Sequence, residues 1–284
     1  MIPSVPQSRY FRATYRAYVL MFFVYLLAPL LVVAVFAFND SMFPSLPWGG
    51  WTLDWFFSDT EPKLGILYDG ELMDSIGISA TVALFTTLGS LLLATCNAFL
   101  FERKRFPGKD LLYLLMLTPL VIPGVILGVS ILLMSSGIAN DLESLTGYDI
   151  ESLRPGLPLV VTGQFAFITT ICTLIVSARL RKFNPSLEEA ALNLGANRLQ
   201  AAVTITVPYL SPALIGAGVV SFLMSFENFN TTLMLVGSEA PLTIAMFDRL
   251  REGSTPALNA VSLLLMMGSA VLVLISVVVQ RDPT

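Results

Sequence analysis

Apolar positions gather along the chain into six long runs with short polar stretches between them. Tyr18–Phe38 covers 21 positions and Ser75–Phe101 covers 27, neither with a charge. Leu111–Asn140 and Pro155–Ala178 are also uncharged, the former losing its apolar character near Met134. Leu199–Ser238 holds one charge, Glu227, and Gly253–Gln280 holds none. A bilayer core of ~30 Å is crossed by about 20 helical residues. The runs are too long and too evenly apolar for the one-sided stripe of a soluble core helix. They predict an all-α polytopic membrane protein with six transmembrane helices, at about 18–38, 75–101, 111–134, 156–178, 209–235 and 257–280. A cytoplasmic segment, 1–17, precedes this membrane domain of 18–284. Val35-Phe36-Ala37 loosely fits a signal-cleavage site. The first run exceeds the roughly 7–15 residues of a signal core, so an uncleaved anchor is the better reading.

Basic residues alternate from side to side of these runs. Arg9, Arg12 and Arg16 precede the first. Arg103, Lys104, Arg105 and Lys109 separate the second from the third, and Arg179, Arg181, Lys182 and Arg198 the fourth from the fifth. Arg281 follows the sixth. The opposite loops hold only Lys63, Arg154, Arg249 and Arg251. The positive-inside rule therefore predicts cytoplasmic N and C termini. The formal charge of −4 and a pI near 4.9 would alone speak against nucleic acid and anionic membranes as partners. Divided by side, the cytoplasmic loops sum to +7 with Glu102, Asp110, Glu188, Glu189 and Asp282 included. The outer loops sum to −10, and Glu227 stands apart. Membrane lipid is thus a partner, the basic face suiting an anionic inner leaflet. No nucleic acid partner is expected. The acidic outer face can concentrate an arriving cation. The first outer loop, Asn39–Asp74, holds seven of the acids and all three tryptophans, Trp48, Trp51 and Trp55. It reads either as an interfacial anchor or as a docking surface for an external partner.

Composition closes off other classes. Apolar residues make up 55% and charged residues 13%, against roughly 25% charged in soluble domains, and the mean hydropathy is +0.76. Neither a soluble domain nor a disordered chain fits. There is no histidine, which removes imidazole catalysis and imidazole metal sites. The two cysteines, Cys96 and Cys172, lie inside apolar runs and read as buried, inert thiols, not as a disulfide or zinc site. The third run contains Thr118-Pro119-Leu120-Val121-Ile122-Pro123-Gly124. Its prolines free backbone carbonyls, which a membrane tolerates only against protein or a wet cavity. A structural kink and a direct role in transport are both open for it.

Arg179–Pro208 is too long for a minimal connection. Within it, Ser186 and Glu189 fit a capping box, and Pro185 suits a helix start. Leu187, Ala190, Ala191 and Leu194 form one apolar stripe at i, i+3, i+4 and i+7. Gly195 can end the helix in the left-handed conformation. A second short turn capped by Asn197 follows, and Pro208 and Pro212 stand at the start of the fifth helix. The stretch predicts an amphipathic helix at about 185–196. It either lies on its own membrane domain or docks another chain.

Glu189-Ala190-Ala191, three residues, Gly195, nine residues, Ile205-Thr206-Val207-Pro208 resembles the EAA motif of bacterial ABC importer permeases, with Val207 in place of the usual leucine. Trp48-Gly49-Gly50-Trp51-Thr52-Leu53-Asp54-Trp55, the Pro119–Ser130 stretch and Ser221–Leu235 are similar to segments of spermidine/putrescine permeases, above all the second permease subunit of such systems. The resemblance spans about Phe36 to Val261. It implies an ABC type I importer permease fold in the bacterial inner membrane, with the 185–196 helix as coupling helix. Glu188, Glu189, Ala190, Ala191, Gly195 and Pro208 would then serve the contact to the ATPase. It also implies three kinds of partner: a second permease subunit, an ATPase dimer that holds the ATP-Mg, and a periplasmic or extracellular solute-binding protein. The chain itself has no G-x-x-x-x-G-K-[ST], takes no cofactor or metal, and is not an enzyme.

Glu227 is the one ionisable residue within a predicted span. A carboxylate there costs about 2.5–3.5 kcal/mol on insertion scales, so it is expected to face the bundle interior or a wet cavity. Ser221, Ser225, Asn228 and Thr232 follow at helical spacing as a polar stripe, with Glu227 and Thr231 on its flank. These residues are candidates for the path of a small cationic solute such as spermidine or putrescine. The alternatives are that Glu227 lies near enough to the outer end to reach water, pairs with another subunit, or ties a kink through a structural hydrogen bond. Polyamine permeases often carry two adjacent acids near this point; here Asn228 follows Glu227, which leaves room for a less cationic solute. Two other classes compete. An ion-coupled secondary transporter would use Glu227 as its ion site, but six helices are few and no inverted repeat is evident. An intramembrane enzyme would have Glu227 alone for its chemistry.

Overall fold

The computed structural model describes residues 8–253 and 255–280, and every regular element among them is helical. Residues 1–7 of the N-terminal segment, and Arg281 and Asp282 of the charge balance, lie outside the described residues. In chain order the helices are α1 (Arg9–Phe36), α2 (Asp54–Phe57), α3 (Gly70–Arg103), α4 (Lys109–Val121), α5 (Gly124–Thr146), α6 (Leu157–Leu180), α7 (Ser186–Asn193), α8 (Arg198–Ala201), α9 (Val207–Phe226), α10 (Thr232–Leu235), α11 (Leu242–Gly253) and α12 (Pro256–Gln280). Among the described residues six helices are long and apolar enough to cross a membrane.

Two spans differ from the sequence expectation. The third is not one helix over 111–134. It breaks at Ile122, whose ψ of 127° is extended because the following proline disfavours the helical region. The chain resumes as α5, which runs past Met134 to Thr146 and ends on Gly147 at φ +72°. This polar extension is held by Arg154, whose guanidinium reaches Asn140 at 2.7 Å, Glu143 at 2.7 Å and Asp149 at 2.9 Å. The fifth span is not helical to residue 235: α9 stops at Phe226, and α10 forms separately. At its other end the fifth span is longer than predicted. A π-helical stretch, Ala202–Thr206, joins α8 to α9, so Arg198–Phe226 is one 29-residue helix. Pro208 lacks an N–H and its ring crowds the carbonyl four residues back, which favours the wider hydrogen-bonding register here. Pro212 likewise frees the Pro208 carbonyl, and Ser211 Oγ donates to it at 2.8 Å.

The chain forms two compact units, Met1–Gly70 with Arg249–Met267 and Glu71–Asp248 with Gly268–Thr284. In the first, no residue of α1 is buried. Trp55 is buried and donates its indole N–H to the Asn39 carbonyl at 2.8 Å. Trp48 and Trp51 meet edge-on at 5.0 Å, with Trp51 exposed. Lys63 pairs with Asp40 and, at 3.5 Å, with Asp54. The hydrogen bond to Asp40 and the two negative charges hold its ammonium above the ordinary lysine range. A raised pKa keeps this link complete below the usual lysine value, so it persists at physiological pH. Arg249 forms a two-pronged pair with Asp69 at 2.5 and 2.9 Å.

In the second unit α6 is central. Its Ile168, Cys172, Val176 and Leu180 pack on Ala94 and Ala98 of α3 and on Leu210 and Ala217 of α9. Small residues on α3 and α9 let the backbones approach, and polar pairs join the helices as membrane packing requires. Ser90 meets Thr169 at 3.2 Å, and Thr170 donates to the Met116 carbonyl of α4 at 2.7 Å. Cys172 is buried as expected, but Cys96 is exposed on α3: the helix turns its alanines, not the thiol, toward α6.

Candidate functional site

The two broken spans meet at one place. A cavity of about 290 Å³ is lined by Pro119, Leu120, Ile122 and Gly124 from the α4–α5 break and by Asn228, Asn230 and Thr231 from the α9–α10 break. The first break follows from its prolines. The second has neither proline nor glycine and is made by side chains. Asn228 Oδ1 accepts from the Thr232 N–H at 3.2 Å and from Thr232 Oγ1 at 3.0 Å. It thus takes the donor that would have continued the helical ladder, the known competition of short polar side chains with the backbone. The Asn228 carbonyl left over accepts from Thr243 Oγ1 at 2.9 Å.

A buried amide stands behind this turn. Gln164 of α6 is 1% exposed. Its Oε1 accepts from Ser225 Oγ, and its Nε2 donates to Thr232 Oγ1 at 2.9 Å. Ser225, Gln164, Thr232 and Asn228 therefore form one hydrogen-bonded chain across α9, α6 and α10. Thr231 is buried and donates to the Gly124 carbonyl at 3.4 Å. The two breaks touch because Gly128 has no side chain: a Cβ there would lie 2.9 Å from Met234 Cβ and 3.1 Å from the Thr231 carbonyl.

The residues expected along a path are thus distributed. Asn228 and Thr231 line the cavity, and Ser225 lies behind it through Gln164. Ser221 is buried beside Cys172 in the α6–α9 packing and does not line the cavity. Glu227 does not face the interior of this chain. It caps the C-terminus of α9, is exposed, and accepts from Ser269 Oγ of α12 at 3.2 Å. The early end of α9 turns it outward. Among the described residues it forms no ion pair. The sequence pattern does not mark Gln164 or Asn230 as site residues, although Gln164 is the lone amide of the fourth apolar run.

The segment between α6 and α9 has its own geometry. α7 starts one residue after Pro185 with no side-chain cap. The expected capping box of Ser186 and Glu189 is absent, because Asn184 Oδ1 already accepts from the Ser186 N–H at 3.1 Å. The capping box belongs instead to Asn197 and Gln200 at the start of α8. Gly195 has φ +94°, and the Ala196 N–H reaches back to the Ala191 carbonyl at 3.1 Å, a left-handed helix end that a side chain would strain. α7 buries no side chain. Leu187, Leu194 and Leu199 are 50%, 90% and 74% exposed, and Glu189, Ala190 and Pro208 are exposed too. The apolar stripe faces away from the chain's own bundle. Glu188 points the other way, into an ion pair with Arg103.

Residues 87–281 match the family described as binding-protein-dependent transport system inner membrane component. The putrescine transport system permease protein PotI of Escherichia coli (strain K12) is 29% identical over 258 residues, 90% of this chain and 86% of that protein. The spermidine/putrescine transport system permease protein PotC of the same strain is 24% identical over 263 residues, 92% of each. A crystal structure of a bacterial ABC transporter involved in the import of the acidic polysaccharide alginate shares the fold, with a TM-score of 0.73, 18% identity and 96% of each chain covered.

Proposed function

Because this chain belongs to the family of binding-protein-dependent transport system inner membrane components, we propose that it carries a small cationic solute, a polyamine such as putrescine or spermidine, along a path that begins at the helix-break cavity. It is a multi-pass inner-membrane permease subunit of an ABC importer, not an enzyme, and it works with an ATPase and a solute-binding protein. An ion-coupled transporter is not favoured. The positive-inside pattern supports cytoplasmic termini and a cytoplasmic α7. There its exposed Leu187, Ala190 and Leu194, with Glu189, suit a cleft on the ATPase.

The observation that carries the cation reading is the end of α9. A helix C-terminus has a partial negative charge, and Glu227 adds a full one. Among the described residues the Ser269 hydroxyl alone answers it. A carboxylate on the outside of a membrane helix is costly toward lipid. A second permease subunit facing α9 would shield it, so that the path lies between the two subunits with Glu227 on its wall. Likeness to PotI and PotC over nine-tenths of the chain supports a polyamine as the solute.

The test is a reconstituted complex of this chain with its partner permease, ATPase and binding protein. Putrescine or spermidine on the binding protein is expected to stimulate ATP hydrolysis and uptake. Stimulation by an anion and not by either amine would overturn the solute class, and full uptake by this chain purified alone would overturn the importer. Glu227→Gln is expected to raise the KM for a cationic solute about fivefold, the worth of one charge at ~4 Å in a watery path, with little change in kcat. An unchanged KM removes Glu227 from the path.

A further inference from the structure

α7 has no buried side chain, so close packing does not fix it to the bundle. A cavity of about 360 Å³ lies where such packing would be, lined by Glu188 and Leu192 of α7 and by Phe99 of α3. One carboxylate spans the gap. Glu188 accepts from Arg103 Nη1 at 3.2 Å, from Arg103 Nη2 at 3.3 Å and from Thr206 Oγ1. Arg103 is the last residue of α3. Thr206 is buried and ends the π-helical stretch from which α9 continues. The ends of α3 and of the π-helical stretch thus meet at Glu188, in the first turn of α7.

The arrangement around it is built and directional. The Arg103 guanidinium lies over the Phe183 ring at 5.2 Å, and Phe183 meets Tyr209 of α9 edge-on at 5.1 Å. A forked arginine–carboxylate pair fixes orientation as well as distance. A helix held in this way passes on rotation as well as displacement. The π-helical stretch beside it departs from the regular α ladder, a feature often found at functional positions.

We infer that Glu188 is a positioning residue that transmits movement of α7 to α3 and α9, and is not itself a contact to the ATPase. This inference rests on α7 being the ATPase-docking helix. The neighbouring acids divide the work: Glu189 is exposed toward a partner, and Glu188 ties the docking helix to the two spans it must move. Since α9 ends at Phe226, directly before Glu227 and Asn228, the link connects the docking helix to the wall of the path through one helix.

The experiment uses the complete transporter in proteoliposomes, with copurification, basal ATPase, binding-protein-stimulated ATPase and uptake measured for each variant. Glu188→Gln and Arg103→Gln are each expected to copurify with the ATPase and to keep basal hydrolysis. Uptake per ATP hydrolysed should fall about tenfold, as for loss of a hydrogen bond to a charged group. Thr206→Val should give a smaller fall in the same ratio. The exchange Arg103→Glu with Glu188→Arg should recover most of the coupling, which it would not if Glu188 were an ATPase contact; unchanged copurification and basal hydrolysis in the single variants separate coupling from a merely structural defect. Loss of the ATPase from the Glu188→Gln complex, normal coupling in that variant, or failure of the exchange to restore coupling overturns the inference. Failure of the docking-helix reading shows separately: uptake would survive Glu189→Lys.

Discussion

Glu189→Lys is expected to abolish uptake, by at least about 30-fold, while the protein still inserts in the membrane. The size follows from a charged contact: removing one partner of a buried hydrogen-bonded charge pair at an interface costs about 2–5 kcal/mol, and reversal of sign adds repulsion. Little of the effect would arise inside this chain. Glu189 is exposed in the first turn of α7 and forms no ion pair among the described residues. Its service to its own helix is the favourable position of a carboxylate near an N-terminus, worth about 0.3–1 kcal/mol. Uptake in vesicles, with copurification of the ATPase and a protease-accessibility map as controls, checks this. Normal uptake from a correctly inserted Glu189→Lys protein would end the assignment of α7 as the docking helix. Glu189→Gln keeps the shape and part of the hydrogen bonding, so it should fall between wild type and Glu189→Lys.

The two neighbouring glutamates show where sequence stops being legible. Six spans could be read because bilayer thickness imposes a length, and length is a property of one segment. The stripe of Leu187, Ala190, Ala191 and Leu194 could be read because 3.6-residue periodicity is also local. Neither signal says toward which body a stripe turns. Glu188 and Glu189 are about 100° apart on α7, and only the placement of Arg103, 85 residues earlier, decides that one points inward and the other outward. The same reasoning applies to the helix breaks. Pro119 and Pro123 announce the first. Nothing local announces the second, since Asn228 leaves the helix by bonding Thr232 while Thr243, fifteen residues on, takes its carbonyl. Without that break in view Glu227 reads as part of a span, whereas it caps the end of α9. Cys96 is exposed and not buried for a related reason: an apolar run around a thiol shows that it lies in a span, not which side of the span meets α6.

The proposed path also draws on a residue that looks out of place by pattern alone. Gln164 is the lone amide of α6, whose other uncharged polar side chains are hydroxyls, and it is 1% exposed. An interhelical hydrogen bond in a membrane is worth about 0.6 kcal/mol on average and up to about 1.7, so its two bonds alone would matter modestly. Removal also strands partners. Gln164→Leu keeps the volume but leaves the Ser225 and Thr232 hydroxyls without it, and an unmade hydrogen bond at a buried group costs about 1–3 kcal/mol. Ser225 can turn to its own helix, as short hydroxyl side chains do. Thr232 keeps its bond to Asn228 but loses the donor that holds α10 against α6. The net loss is therefore expected at about 1–3 kcal/mol, read as a lower midpoint of thermal unfolding in detergent. Transport should fall further than stability, because the turn carrying Asn228 and Thr231 into the cavity is the part released. Gln164→Glu retains an acceptor for Ser225 but loses the N–H donor to Thr232 and brings a carboxyl into a buried site, so it should not rescue transport. If Gln164→Leu leaves both the midpoint and the kcat for uptake unchanged, the chain from Ser225 to Asn228 does not hold the wall of the path, and the α9–α10 break is fixed by its backbone alone.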